Sequence, residues 1–555
     1  MPITRREFAA AMAAPATVAQ PAAQIDPALI RRHDEAVERL LRLQIADVKD
    51  PNCGGYADDY GFFSASTGGA ILDTFVAALV CPASRFHQSS ELMQRAVLAA
   101  GYLRRKQHDD GTIDLYITNF HSTPDLAFTI HNVASAALLA KRNNLTTLLG
   151  EMEPFLRKAG DALVRGGVHT PNHRWVACEA LSQLNEVMPD ARFVRRAEQW
   201  LAEGIDIDAD GQFNERSTTV YNTVSDKALL VTALKLGKPE LLDPVRRNLE
   251  AMMYLVHPNG EVVTEISRRQ DQYERAGMER YWLPLRYLAI KDSNGRFAEM
   301  ARRVEPRGAW LSAYLRFPEL ARPLPASAPL PEDYHKLMPS VEIARIRRGQ
   351  MSASVLLNGN SRFFAMRNGE CVVQAVRFAS AFFGKGQFRP AKWERTADGY
   401  RMTQSMEGPY YQPLDPPRKV EASDWDKVRG LRPRSEVQKM EYRVEVKEAK
   451  GRRGGFTIEI SAEGTAGVPL AVEVNLREGV QVEGVTPAPG AQNASILKSG
   501  YAVARAGKDT VRFGPGFAEH AYTQVRGADP RLPGTSVYLC GFTPLRRVLE
   551  FDAPA

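Results

Sequence analysis

Hydrophobic residues recur every three or four positions between about residue 27 and about residue 315, and this spacing predicts a series of amphipathic helices. Short breaks containing Gly, Pro, Asn or Asp separate the segments, so we expect about ten helices joined by alternating short and longer loops. The clearest segments are 36–43, 92–103, 133–140, 155–163, 175–187, 193–201, 228–236, 245–255 and 282–290.

Three of these breaks share a local theme, in which a helix ends at an Asp-Gly or Asn-Gly turn followed by a short extended stretch. The turns contain Asp110-Gly111, Asp210-Gly211 and Asn259-Gly260. Loosely repeated helical hairpins of this kind indicate an array that closes into an (α/α) toroid. An open helical array is the alternative.

The pattern changes at residues 317–335, where five prolines within a short window predict a semi-rigid, extended linker. Beyond it, alternating hydrophobic positions rich in Val, Thr and Tyr predict strands without helices. These segments are 341–346, 352–357, 362–367, 371–378, 437–446, 456–462, 470–476 and 510–513. The predicted fold is therefore an α+β multidomain one, with a toroid of helical hairpins over 25–316 and an antiparallel β-sandwich over 336–555.

The first 24 residues resemble a twin-arginine export signal, because Arg5-Arg6 is followed by Phe8 and a weakly apolar, alanine-rich run. An alanine- and proline-rich tail that happens to begin with two arginines is the alternative. No other segment reaches about 18 uninterrupted apolar residues, so we expect no membrane span. The mature protein is expected to be periplasmic or secreted.

The charge balance of the chain indicates which class of ligand to expect. The formal net charge is +7, from 72 Lys and Arg against 65 Asp and Glu, and the basic residues form no long run. This balance suits an acidic polysaccharide or oligosaccharide and argues against nucleic acid. The five cysteines are widely spaced and odd in number, so a disulfide framework is not expected.

Eight of the ten histidines lie in the helical half, which places the titratable chemistry there. Thr170 and Pro171 predict a helix start, with Asn172 and His173 in its first turn. The segment 214–222 precedes another helix and carries Arg216, Tyr221 and Asn222. Capping and core roles are the alternatives at these helix starts.

Further residues are candidates for contact with a saccharide. The polar loop around Arg268 and Arg269 could hold an anionic sugar, and a solvated face is the alternative. The full set of predicted substrate contacts is His121, Asp125, His131, Trp175, Asn222, Arg268 and Arg269. In the β half, we expect Lys385, Arg389 and Tyr410 at the edge of a cleft.

An Asn-His pair that opens one helix, followed about 50 residues later by an Arg and a Tyr-Asn at another, resembles the α/α-toroid polysaccharide lyases of the alginate, hyaluronate and heparinase types. The resemblance implies that Asn172 and His173 neutralise a uronate carboxylate, that Tyr221 transfers protons and that Arg216 assists. Heparinase II/III-like enzymes often hold a metal in their β domain. Histidine is scarce in this β half, which argues against a metal there. Lyase chemistry requires neither a metal nor an organic cofactor, so none is predicted.

The chemistry such a lyase requires is β-elimination, in which donors stabilise the charge that develops when the C5 proton of a uronate is removed. A toroid glycoside hydrolase is an alternative that needs two placed carboxylates, and Asp58, Asp59, Asp125 and Glu215 are available. A non-enzymatic glycan-binding protein is a third possibility. The sequence does not identify the polymer, the cleavage pattern or the oligomeric state.

Overall fold

The computed structural model describes residues 25–304, 310–451 and 454–553, and the predicted export signal lies outside them. The chain divides into two compact units. Of the described residues, those within Met1–Ile207, Phe213–Leu249 and Gly277–Leu330 form the helical unit, and those within Asp208–Gln212, Glu250–Ala276 and Pro331–Ala555 form the β-rich unit. The predicted domain boundaries at 316 and 336 stay predictions.

The predicted helices are present. All the periodic segments lie in helices, with 245–255 running three residues beyond its helix. The helices are α1 (Pro27–Leu43), α2 (Ala65–Val80), α3 (Ser90–Lys106), α4 (Thr123–Arg142), α5 (Thr146–Arg165), α6 (Pro171–Val187), α7 (Ala191–Leu201), α8 (Tyr221–Leu236), α9 (Leu242–Met252), α10 (Trp282–Asp292), α11 (Gly295–Arg303) and α12 (Leu311–Arg316). A small hairpin of β1 (Ile113–Leu115) and β2 (Asn119–Ser122) precedes α4.

Two layers of helices form the helical unit. The helices α2, α4, α6 and α8 pack side by side in that order, α10 packs on α8, and α12 packs on both α2 and α4. The members α2, α4, α6 and α8 are buried over most of their residues, whereas α7 buries only Phe193 and Ala197. A buried inner ring with amphipathic helices outside it is an (α/α) toroid, as predicted.

The three Asp-Gly or Asn-Gly turns share one hydrogen-bond pattern. In each turn, the backbone N–H of the residue three positions before the glycine donates to the carbonyl of the residue that follows the glycine. The glycine N–H donates to the carbonyl of the residue three positions before it. Gly111, Gly211 and Gly260 have φ values of 87°, 79° and 89°, a region that glycine enters without steric cost. The turns are therefore structurally equivalent.

The β-rich unit contains two sheets, and each predicted strand overlaps an observed one. The strands are β3 (Asp333–Met338), β4 (Ile343–Arg348), β5 (Met351–Leu356), β6 (Phe364–Asn368), β7 (Cys371–Ser380), β8 (Gly386–Gln387), β9 (Lys392–Arg395), β10 (Gly399–Tyr411), β11 (Arg434–Glu448), β12 (Phe456–Gly464), β13 (Pro469–Leu476), β14 (Gln481–Glu483), β15 (Thr486–Pro487), β16 (Ala494–Ile496), β17 (Ala502–Ala506), β18 (Asp509–Gly514), β19 (Thr535–Phe542) and β20 (Leu545–Asp552). One sheet has the order β14-β17-β18-β20-β12-β11-β10-β9 and the other β15-β16-β19-β13-β7-β6-β5-β4-β3, with β8 on β7.

Side chains from both sheets form one hydrophobic core that includes Val376 and Val474 from one sheet and Val444, Ile458 and Phe551 from the other. This is the predicted β-sandwich. Two details differ from the expectation: β16 and β19 pair in parallel, and a short helix, α13 (Trp425–Arg429), interrupts the strands. Within the described ranges, no helix has the length and apolar character needed to cross a membrane.

Candidate functional site

The start of α6 and the loop before α8 are joined by Asn172 and Glu215. Asn172 Nδ2 donates to Glu215 Oε1 (2.6 Å) and to Thr170 Oγ1 (3.1 Å), and its backbone N–H donates to the same Glu215 oxygen (3.3 Å). Asn172 is 3% exposed, and its Oδ1 has no hydrogen-bond partner among the described residues. The amide donors of Asn172 are thus engaged, while its oxygen remains a buried acceptor.

His173 lies next to Asn172 in the first turn of α6, as the sequence predicted. Its ring stands edge-on to His169, with ring centres 4.7 Å apart, and edge-on to Phe128 of α4, at 5.8 Å. The start of α6 therefore packs against the early part of α4. The first helical residue of α6 is Pro171, whose missing N–H costs nothing at that position.

The loop over 213–220 presents Arg216 and leads into Tyr221. Arg216 has a φ of 50°, a left-handed conformation that is uncommon for a side chain of this size. The Tyr281 hydroxyl donates to the Thr218 carbonyl at 2.5 Å, and the Tyr221 N–H donates to Ser217 Oγ at 3.0 Å. Tyr221 is half-buried, whereas Asn222 is fully buried.

His121 belongs to a separate, more exposed cluster in the hairpin before α4. It contacts Asp110 through Nδ1 at 2.7 Å and stacks on His108, with ring centres 3.9 Å apart. Hydrogen bonds from Thr112 and then His121 hold the pKa of the Asp110 carboxyl below its usual range. Like Arg216, His121 has a positive φ, 48°, directly ahead of an inner helix.

Asp125 lies in the first turn of α4, where it is hydrogen-bonded to the N-cap residue Ser122. It accepts hydrogen bonds from Asn119 Nδ2 at 2.8 Å and from the Ser122 hydroxyl, and its own N–H donates to that hydroxyl. An acidic side chain in this turn also interacts favourably with the helix dipole. Its assignment as a substrate contact stays a prediction.

His131 lies two turns further along α4, in a polar network between inner helices. Its Nδ1 is 2.5 Å from Glu179 Oε1 of α6, and Lys227 Nζ of α8 is 3.9 Å from Glu179 Oε2. Arg316 of α12 donates to Gln183 Oε1 at 2.7 Å. Burial favours the neutral acid, but Lys227 and His131 outweigh it and lower the pKa of Glu179 to about 2.

The remaining predicted contacts are Trp175 in the helical unit and five residues of the β-rich unit. The Trp175 ring is fully buried in the core, and its Nε1 donates to Asp206 at 2.8 Å. Arg268 is exposed and Arg269 half-buried, in a segment of the β-rich unit. Also in that unit, Arg389 pairs with Asp529 at 2.8 Å, Tyr410 is 57% exposed and Lys385 is exposed.

The carboxylates considered for hydrolysis are mostly engaged. Glu215 is bound to Asn172, the Asp125 carboxylate accepts from Asn119 and Ser122, and Asp58 Oδ1 accepts from the N–H groups of Tyr60 and Phe62. Asp59 is exposed. Among the residues that the structure describes, no group of three or more His, Cys, Asp or Glu side chains could hold a metal ion.

Two features escaped the sequence reasoning. Glu215 was considered only as a hydrolytic carboxylate, although its contact is with Asn172, 43 positions away. Glu179 was not singled out, although a carboxylate flanked by small and apolar residues, between Cys178 and Ala180, is a signal of a buried polar contact.

No protein-family model and no curated protein matches the chain. Solved structures do match: the chondroitin AC lyase of Streptomyces coelicolor A3 is 13% identical, with a TM-score of 0.55 over 98% of this chain and 80% of that one. Heparinase III is 12% identical, with a TM-score of 0.54 over 95% and 85%. A Paenibacillus xanthan lyase is 11% identical, with a TM-score of 0.54 over 95% and 57%. The chain therefore has the fold of the α/α-toroid polysaccharide lyases, a helical toroid followed by a β-sandwich.

Proposed function

We propose that this protein is a polysaccharide lyase that cleaves a uronic-acid-containing glycan by β-elimination. The hydrogen bond between Asn172 and Glu215 is the main support, because it brings the segment carrying Asn172 and His173 to the loop that carries Arg216 and leads into Tyr221. The fold shared with lyases of acidic polysaccharides adds to this support. Fold alone does not define a reaction, so the proposal rests on these side chains.

The proposed reaction needs a base, a group that stabilises the uronate carboxyl, and an acid. Tyr221 removes the C5 proton, the electron pair forms the C4–C5 double bond, and the C4–O bond breaks. The proton then passes from Tyr221 to the leaving glycosidic oxygen, which restores the tyrosinate. General acid–base catalysis by one positioned side chain contributes about 100-fold to 10,000-fold in rate.

Asn172, His173 and Arg216 act on the uronate carboxyl. The buried Oδ1 of Asn172 can accept a hydrogen bond from a protonated carboxyl, because its two amide hydrogens already bind Glu215 and Thr170. His173 and Arg216 supply donors to the carboxyl oxygens. Neutralising this group lowers the cost of the carbanionic transition state at C5.

The test combines a substrate panel with variants. The protein is incubated with alginate, glycosaminoglycan and pectic polymers while the ultraviolet absorbance of the new double bond is followed. Tyr221→Phe is expected to lower kcat at least about 100-fold. Tyr287→Phe is the matched control, since that buried tyrosine lies in α10 near Asp292 and Arg246.

Each alternative outcome points to a different function. Release of reducing sugar without the chromophore would indicate hydrolysis. Saturable binding of an acidic glycan without any product would favour a non-enzymatic binding protein. Full activity in Tyr221→Phe would refute the proton-transfer role of Tyr221 while leaving the lyase reaction standing.

We also infer that the protein is exported, on the basis of Arg5 and Arg6. Replacing both arginines by lysine in the full chain should move the protein from the exported fraction to the cytoplasm of the expressing cell. Unchanged export of that variant would contradict the twin-arginine assignment.

A further inference from the structure

The β-rich unit contains a partly open cavity of about 80 Å³, large enough for several water molecules or one small ion. One wall comes from the segment that contains His257, Glu261 and Tyr273. The opposite wall comes from β5, β6, β7 and the loop before β6, and includes Arg362 of that loop and Arg367 of β6. Both walls belong to the same compact unit.

Positive charge exceeds negative charge in the buried part of this cavity. Glu261 accepts from Arg367 Nη2 at 2.5 Å and from the two Nη atoms of Arg477 at 3.1 and 2.9 Å. One carboxylate therefore serves two guanidinium groups. Burial opposes its ionisation, but the hydrogen bonds from Arg477 and Arg367 lower the pKa of Glu261 to about 2.

Two arginines that line the cavity are available to bind an anion. Arg367 is 2% exposed, and its Nε and Nη1 have no hydrogen-bond partner in the described part of the chain. Arg362 lies with its guanidinium 3.4 Å from the ring centre of Tyr273 and forms no ion pair with any described residue. Buried cationic donors without partners are costly, so an anion that accepted from them would stabilise the unit.

Other charged groups do not cancel this excess. Glu265, Glu274 and Arg275 also line the cavity, and the last two are exposed. His257 is held by a 2.8 Å contact between its Nδ1 and Ser352 Oγ. Burial, followed by the neighbouring arginines, lowers the pKa of His257 well below its usual value, so this ring is neutral at neutral pH.

We propose that this cavity is a binding site for one small oxyanion, a carboxylate or sulfate group, held by Arg367 and Arg362. Planar guanidinium groups match such oxygens in paired hydrogen bonds, and stacking on Tyr273 fixes the plane of Arg362. The group comes either from an acidic saccharide or from a free inorganic anion. The site is independent of the proposed lyase chemistry.

Isothermal titration at constant ionic strength tests the site with sodium sulfate and, separately, sodium glucuronate. Saturable binding of either is expected in the full-length protein, with affinity reduced at least about tenfold in Arg362→Gln, a loss of about 1.4 kcal/mol. Arg401→Gln is the control, because Arg401 is a partly exposed arginine of the same unit that does not line the cavity and pairs with Glu394 and Glu445. This control should bind as the wild type does.

The results of these titrations distinguish an acidic saccharide from an inorganic anion as the ligand, and they show whether the proposal fails. Binding of glucuronate alone assigns the site to a saccharide, and binding of sulfate alone assigns it to an inorganic anion. Absence of saturable heat up to about 10 mM of both anions overturns the proposal. Equal affinity in Arg362→Gln and wild type also overturns it. Arg367→Met provides a second variant, and if it does not fold, Arg362→Gln still decides.

Discussion

Replacing Glu179 by glutamine should destabilise the helical unit, because a buried carboxylate stands among basic side chains from other inner helices. Glu179 is 1% exposed and contacts His131 and Lys227. Glutamine has nearly the same shape, so the change removes charge without leaving a cavity. Removing one partner of a buried ion pair costs about 3–5 kcal/mol, since the remaining charge is left without compensation.

The direction of the Glu179 pKa shift agrees with this expectation. Lys227 and His131 lower the pKa of Glu179 against the opposing effect of burial. Burial and then Lys227 also lower the pKa of His131, so Lys227 carries the positive charge next to Glu179 at pH 7. Because the folded pKa of Glu179 is the lower one, the stabilisation is present above pH 4.5 and is lost as the pH falls towards 2.

The assay is urea unfolding followed by the helical circular dichroism signal at pH 7 and again near pH 3. Glu179→Gln should unfold with a free energy about 3 kcal/mol lower at pH 7, and the difference should shrink in acid. Glu153→Gln is the control in the same unit: its carboxylate is 42% exposed and pairs with Arg157, which is 68% exposed. That change should cost less than about 1 kcal/mol.

Two results would refute this reasoning. One is a loss below about 1 kcal/mol for Glu179→Gln at pH 7, which would mean that the basic neighbours are solvated without the carboxylate. The other is an equal loss at both pH values, which would assign the effect to packing and not to charge.

Three further predictions concern single positions, and the first two are measured by thermal unfolding. Gly111→Ala should destabilise by more than about 1 kcal/mol, since φ is 87° and the new Cβ would lie 2.3 Å from the Lys158 carbonyl oxygen. Gly150→Ala, in α5 with open space around it, should stabilise by about 0.5–1 kcal/mol in the same thermal scan. Asp226→Asn should raise the urea midpoint at pH 7, because burial without a hydrogen-bond partner among the described residues raises the pKa of Asp226. That raised pKa means that Asp226 weakens the fold as the pH rises above 3.8, so the gain should vanish below this value, and a lower midpoint at pH 7 would contradict it.

The sequence was sufficient to predict elements whose burial is one-sided. The 3–4 spacing in α5 and α7 and the alternation in β12 arise because each of these elements has one apolar face and one solvent-exposed face. The helix α2 was missed because thirteen of its sixteen residues are buried, which leaves no periodic contrast to detect. The equivalent turns at Gly111 and Gly260 were predictable because Asp-Gly and Asn-Gly favour one local geometry.

Contacts between distant segments were not predictable in this way. The pairing of Asn172 with Glu215 depends on how α6 and α8 pack, and a single sequence does not show how two distant helices align. The same holds for Arg367, which reads as an ordinary strand residue. Its unpartnered N–H groups become visible only when the segment containing Glu261 lies against the sheet.

The network around Glu179 bears on the proposed catalytic end of the toroid as well as on stability. Asn172 and Glu179 are seven residues apart on α6, about two turns, so they share one face of the helix about 10 Å apart along its axis. His131 and Lys227 hold that face from α4 and α8, which fixes the rotation of α6. Rotation of α6 would move Asn172 relative to Glu215. Glu179→Gln should therefore lower kcat even at temperatures where it stays folded, whereas full activity in the folded variant would limit the network to a stabilising role.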